Sequence, residues 1–216
     1  MMNTNTLYVA YGSNLNIKQM SQRCPTAEVY GTGRILDYRL TFKTLGVYAY
    51  ATIEPCVGEY VPVAVWKIGE RDERNLDRYE GFPTLYEKQT LEVVLDGGAV
   101  AECMVYIMNS KADYALPAQV YLDCVLSGYR SFHLDVQKVY EAWHRVSRDL
   151  DTGFSILKYY REKKGLTQTQ LAEKTGISLR NIQKYESGER SVQRARGYTI
   201  LRLAQALEVS PYLLAN

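Results

Sequence analysis

The sequence predicts an α+β fold followed by a small all-α domain. Three observations lead there. Over residues 1–151, short β-rich runs punctuated by Gly and Pro mix with a few helical segments in no regular β-α-β order. From residue 152 onward the pattern is almost entirely helical. The charge also changes sign: residues 1–151 carry 15 Lys+Arg and 19 Asp+Glu, net −4, and residues 152–216 carry 11 and 5, net +6, which together give the +2 of the chain. We therefore expect two domains, 1–151 and 152–216, divided at Asp151-Thr152-Gly153.

The first element is a strand, with Leu7, Val9 and Tyr11 alternating against Tyr8 and Ala10. Gly12 ends it and lets the backbone come close to a ligand. Ser13 and Asn14 are good caps for a helix over Leu15–Arg23, which stops before Pro25. A strand that turns through Gly into a helix start leaves N–H groups pointing outward, which suits carboxylates or phosphates. The same Gly-Ser-Asn run also reads as an ordinary connection.

Short strand-like runs follow at Glu28–Tyr30, Tyr38–Lys43, Tyr48–Ile53 and Pro62–Ile68, separated by Gly31, Gly33, Gly46, Pro55 and Gly58. A helix over Glu70–Tyr79 sets Leu76 and Tyr79 on one face, and Gly81 and Pro83 stop it. Glu80 thus sits at a helix C-terminus, where a carboxylate is disfavoured by a few tenths to about 1 kcal/mol. It is either a solvated surface acid or a group whose raised proton affinity suits acid–base work. Gln89–Leu95 and Val100–Met108 form a hairpin about Asp96-Gly97-Gly98. Helices over Pro117–Leu126 and Leu134–Asp149 complete the domain; Val136, Val139, Tyr140, Trp143, Val146 and Leu150 make a core-facing stripe on the second. His133 and His144 have no Ser or Cys partner spaced as a triad and read as structural.

Tyr8–Leu15 (YVAYGSNL), the acidic stretch Leu76–Tyr86 (LDRYEGFPTLY), and Pro117, Tyr121, Leu122, Gly128 and Leu134 together resemble the γ-glutamyl cyclotransferase family. The resemblance spans about 140 residues, with its motifs in the family's order. It implies a small mixed β-barrel with flanking helices. It also implies that Glu80 is the catalytic acid–base and that Tyr8, Val9, Ala10, Tyr11, Gly12, Ser13, Asn14 and Leu15 hold the substrate together with Tyr86 and Tyr121. The reaction implied is closure of a γ-glutamyl amine or amide to 5-oxoproline with release of the amine. It calls for no cofactor and no metal.

In the second domain, Ile156–Lys164 is a helix and Thr167–Gln170 a capping box. Leu171 and Ala172 face inward, Gly176 ends the second helix, and Ser178 caps a third with Ile182 and Tyr185 inside. Thr199–Leu207 is a further helix with Ile200, Leu203, Ala204 and Leu207 apolar, and Leu213 and Leu214 close the bundle. Leu166–Ser178, Tyr185–Arg190 and Leu201–Ser210 resemble the Cro/repressor helix-turn-helix family, with Ser191–Gly197 as a somewhat long loop. That resemblance implies binding of double-stranded DNA by a homodimer. Leu179, Arg180 and Lys184 would lie on the recognition helix and Gln168 at a phosphate.

Cys24, Cys56, Cys103 and Cys124 show neither metal nor disulfide spacing, and no signal peptide or membrane span is visible, so a reducing cytoplasm is expected. The functional expectation is a cyclotransferase joined to a DNA-binding module. The alternatives are a transcriptional regulator whose first domain binds a γ-glutamyl compound without turning it over, or a helix-turn-helix that meets a protein partner.

Overall fold

The computed structural model describes residues 6–149, 155–209 and 211–215. By its internal contacts the chain divides into two compact units, Met1–Val146 and Ser147–Asn216. The expected boundary at Asp151-Thr152-Gly153, and Leu150 of the helical stripe, lie outside the described residues.

The first unit is a closed five-stranded mixed barrel built from β1 (Thr6–Ala10), β2 (Glu28–Thr44), β3 (Tyr50–Ile68), β4 (Tyr86–Leu95) and β5 (Val100–Met108). Around the ring the order is β3-β1-β5-β4-β2, and β2 pairs again with β3. Every contact is antiparallel except β1 with β5, where Val9 aligns with Val105. Closure leaves the five main strands no free edge along the ring. A two-residue strand, β6 (Asp113–Tyr114), adds to the end of β2 and was not foreseen in the sequence.

The four expected short runs are two long strands. Gly31, Gly33, Pro55 and Gly58 lie inside β2 and β3 rather than between strands. The chain absorbs them as register shifts at Val29/Gly31 and Leu36/Tyr38. Gly33 is needed for packing: a Cβ there would stand 2.5 Å from the Val94 carbonyl oxygen of β4. Val61, Val63, Val65, Phe42, Ile53, Val93 and Val105 are buried inside the barrel. Tyr8, Val9, Ala10 and Tyr11 are all buried, so β1 is covered on both faces and the expected alternation does not hold.

Helix α1 is Ile17–Arg23, shorter than expected. Its cap is Asn16, whose side chain accepts from the Gln19 N–H at 3.1 Å. Ser13–Leu15 forms a separate 3-10 turn. Helix α2 (Glu70–Glu80) ends at Gly81 in the left-handed region, φ 63°. Leu76 is buried as expected, but Tyr79 is 45% exposed. Helix α3 (Gln119–Ser131) packs on the 3-10 turn at Gly128, where a Cβ would come within 2.5 Å of Leu15 Cβ. Helix α4 (Gln137–Asp149) buries Val139, Tyr140, Trp143 and Val146.

The second unit contains α5 (Ile156–Lys163), α6 (Gln168–Thr175), α7 (Leu179–Glu186), α8 (Gly197–Leu207) and α9 (Tyr212–Ala215). The Thr167/Gln170 capping box is formed in both directions, and Ser178 caps α7. Gly176 takes φ 64°, the left-handed turn between α6 and α7. Helix α8 begins two residues earlier than expected, and Val192 of the preceding loop is buried. Leu157, Leu171, Ile182, Leu203, Leu207 and Leu214 form the core; the side chain of Leu213 lies outside the described residues.

Candidate active site

The 3-10 turn that follows β1 and the last residue of α2 meet at one narrow cleft. It is lined by Tyr8, Tyr11, Gly12, Ser13, Asn14, Ala51, Glu80, Tyr86, Tyr106 and Tyr121. Because Asn16 rather than Ser13 or Asn14 caps α1, both of those side chains are released from capping. Asn14 then organises the cleft. Its amide N–H₂ donates to Glu80 Oε1 at 2.8 Å and to the Tyr8 hydroxyl at 2.6 Å, and its carbonyl accepts from Arg23 Nη1. With the carbonyl held by a cation, the amide can present only its donors to Glu80.

Desolvation pushes the Glu80 carboxyl up to about 7, against the lowering by the Asn14 hydrogen bond and the Arg23 charge. A carboxyl at this value can both take and return a proton near neutral pH. Burial first, and the Glu80 charge second, hold Tyr8 and Tyr11 well above the ordinary phenol range, so both remain protonated. Tyr86 donates its proton to the Ala51 carbonyl at 2.9 Å, while the Tyr121 oxygen accepts from the Ala51 N–H at 3.0 Å. Tyr86 therefore offers the cleft only its lone pairs, whereas Tyr121 retains its O–H for donation. Tyr11 donates to the Tyr106 carbonyl.

Three expected substrate contacts are placed elsewhere. Val9 and Ala10 lie in β1, paired with Val65 and Ala64 of β3, and Leu15 is buried beneath α3. They shape the cleft through the backbone without lining it. Gly12 has φ −115°, which any residue can adopt; its role is close approach, since a Cβ would meet the Tyr121 hydroxyl at 3.2 Å and Ala51 Cβ at 3.3 Å. Sequence reasoning missed Arg23, Ala51 and Tyr106, whose positions depend on long-range register. His144 is buried in α4 beside Trp143 and is absent from the cleft lining.

Residues 8–123 match the family described as gamma-glutamyl cyclotransferase, AIG2-like. The chain belongs to that family. The human gamma-glutamylcyclotransferase is 29% identical over 139 residues, 61% of this chain and 73% of that protein. The bovine protein of the same name is 32% identical over 112 residues, 48% of this chain and 60% of that protein. A solved structure of a gamma-glutamyl cyclotransferase superposes with a TM-score of 0.59 at 26% identity, covering 64% of this chain and 86% of the other. Within the AIG2-like region, Glu80 and the Tyr8–Asn14 segment share one cleft, and that cleft is the candidate active site.

Residues 157–214 match the helix-turn-helix family. In this second unit Arg180 is exposed and Leu179 is 37% exposed on α7. Lys184 is half-buried and pairs with Glu189 at 2.5 Å. Gln168 starts α6 and donates to Glu186 Oε2 at 2.8 Å. Glu186 is itself buried against Arg161, which makes two bonds to it at 2.7 and 2.9 Å and reaches the Leu166 carbonyl. The pair is fully hydrogen-bonded, the condition under which a buried ion pair is tolerated. Among the described residues there is no metal-binding cluster, and no helix is long and apolar enough to cross a membrane.

Proposed function

We propose that the first unit is a γ-glutamyl cyclotransferase, converting a γ-glutamyl amine or amide to 5-oxoproline and the free amine. The observation that carries this reading is a single carboxylate, Glu80, raised to about 7 and aimed by Asn14 into a cleft of protonated tyrosines. The substrate supplies its own nucleophile. Its α-ammonium gives a proton to ionised Glu80, and the freed amine attacks the γ-carbonyl, forming the ring C–N bond. The ring nitrogen sheds its second proton as the amide C–N bond breaks. Glu80 relays both protons to the departing amine, which leaves as an ammonium, and Glu80 ends ionised as it began. Atoms balance without water.

Orientation of such an intramolecular attack supplies several kcal/mol, and the acid–base work roughly 10²–10⁴-fold. Backbone N–H groups at Gly12–Asn14 and the Tyr121 O–H are suited to the glutamyl carboxylate and the developing oxyanion. A domain that only binds need not keep a proton-transfer group at this place.

For the second unit we propose binding of double-stranded DNA as a homodimer. The helix-turn-helix match and the +6 charge of residues 152–216 support this. Arg180 would read a base and Gln168 would touch a phosphate, with Leu179 and Lys184 on the same recognition helix.

The deciding experiment incubates the purified protein with a panel of γ-glutamyl amines and measures 5-oxoproline, beside Glu80→Gln. The variant keeps shape and hydrogen bonding but loses the base, so turnover falls at least ~10²-fold while ligand binding persists. Absence of 5-oxoproline from every compound, or near-wild-type turnover by Glu80→Gln, overturns the enzyme reading.

A further inference from the structure

A second, wider and more open cleft of about 280 Å³ adjoins the candidate active site and shares Ser13 and Tyr121 with it. Its walls are largely apolar: Tyr48, Ala49, Tyr50, Tyr79, Ala118 and Val120. Val120 is 84% exposed and Tyr48 is 65% exposed, which leaves oily surface uncovered at its mouth. One cation stands in it, Arg23. The guanidinium lies 3.6 Å above the Tyr79 ring and donates to Ser13 Oγ, Asn14 Oδ1 and Gln19 Oε1. All four partners are neutral, and no carboxylate among the described residues forms an ion pair with Arg23. The Glu80 carboxyl feels its charge but makes no ion pair with it. A half-buried guanidinium whose direct partners are all neutral, in the wall of an open cleft, is suited to an anion.

We infer that this cleft holds the departing amine, and that the amine is an amino acid with an apolar side chain whose carboxylate is read by Arg23. The inference rests on the cyclotransferase reading and narrows its substrate class to γ-glutamyl derivatives of bulky apolar amino acids. The glutamyl unit fills the tyrosine-lined cleft at Glu80. The scissile amide lies where Ser13 and Tyr121 border both spaces. The side chain of the departing residue then rests on the tyrosine, alanine and valine wall, and its carboxylate faces Arg23. The same guanidinium fixes the Asn14 amide that aims at Glu80, so occupancy of the second cleft and alignment of the proton carrier share one residue.

Three probes separate the terms: γ-glutamyl-phenylalanine, γ-glutamyl-2-phenylethylamide, which lacks only the carboxylate, and γ-glutamyl-glycine, which lacks only the apolar body. The wild-type protein should favour the first over the second by at least about tenfold in kcat/KM, the scale of a hydrogen bond to a charged group. It should favour the first over the third by a similar factor. Arg23→Gln should bring the first ratio to near one; a proton-transfer effect through Asn14 would lower all substrates alike and leave it unchanged. Val120→Glu, at the exposed wall, should shrink the second ratio. Equal rates for phenylalanine and phenylethylamide derivatives, or an unchanged ratio in Arg23→Gln, overturn the inference. The latter result assigns Arg23 to the glutamyl carboxylate common to all three probes. If no probe yields 5-oxoproline, the cyclotransferase reading has failed separately. Calorimetric affinities of the same probes then decide, and no gain from the carboxylate overturns the inference.

Discussion

Gly128→Ala tests whether the geometry of the cleft depends on the packing of α3 behind it. An added Cβ would stand 2.5 Å from Leu15 Cβ, 2.7 Å from the Leu15 carbonyl carbon and 2.9 Å from the Asn16 nitrogen. Two of these neighbours are backbone atoms, so rotamer changes cannot relieve the overlap. Ordinary carbon contacts lie at about 3.5–4.0 Å, so the 3-10 turn must retreat by roughly 1 Å. Asn14 rides on that turn, and its bond to Glu80 is now 2.8 Å. Lengthened by ~1 Å it ceases to be a hydrogen bond.

Overpacking of this kind costs about 1–3 kcal/mol, which lowers Tm by about 2–4 °C per kcal/mol in a chain of this size. A misplacement of ~1 Å costs on the order of 10²-fold in rate. The assay is 5-oxoproline formation with a thermal melt on the same preparation. Gly97→Ala, which meets nothing within 4 Å, is the control and should change neither value. A folded Gly128→Ala protein with wild-type kcat/KM would refute the reasoning.

Glu80 must be ionised to accept the first proton, and its carboxyl lies at about 7, so kcat/KM should fall tenfold per pH unit below about 7. A limb near the ordinary Glu value of about 4.3 would show that the carboxyl is solvated. Asn14→Ala removes a hydrogen bond that lowers the Glu80 carboxyl, so this limb should move to higher pH; a shift to lower pH would contradict the bond's direction. Gly12→Val forces side-chain atoms against Tyr121 and Ala51 and should weaken binding of glutamyl ligands; unchanged affinity would place the ligand elsewhere. Arg180→Ala should cost about 1–3 kcal/mol and relax one base pair per half-site in selections from random duplexes, whereas Gln168→Ala should weaken all sequences alike. Selections that return no enriched half-site would favour a protein partner for the helix-turn-helix.

What the sequence by itself determined was local. Cap residues, left-handed glycines and hydrophobic periods act over a few residues, so the ends of α2 at Gly81 and α6 at Gly176, the Thr167 box and the β4–β5 hairpin were all legible. Motif order likewise brought the Tyr8–Leu15 loop and Glu80 to notice together. Tertiary structure decided what depends on partners distant in the chain. Ring closure covers both faces of β1 and stretches β2 and β3 through glycines that read as breaks, because ladder bonds to neighbouring strands outweigh weak local propensity. Burial in the cleft, not the helix end alone, raises Glu80. The shift of the α1 cap to Asn16 frees Asn14, and only the packing of α1 against the turn puts Arg23 at Asn14 and the second cleft. An arginine at a helix end resembles any solvated cation in sequence, since its use depends on the groups the fold sets around it.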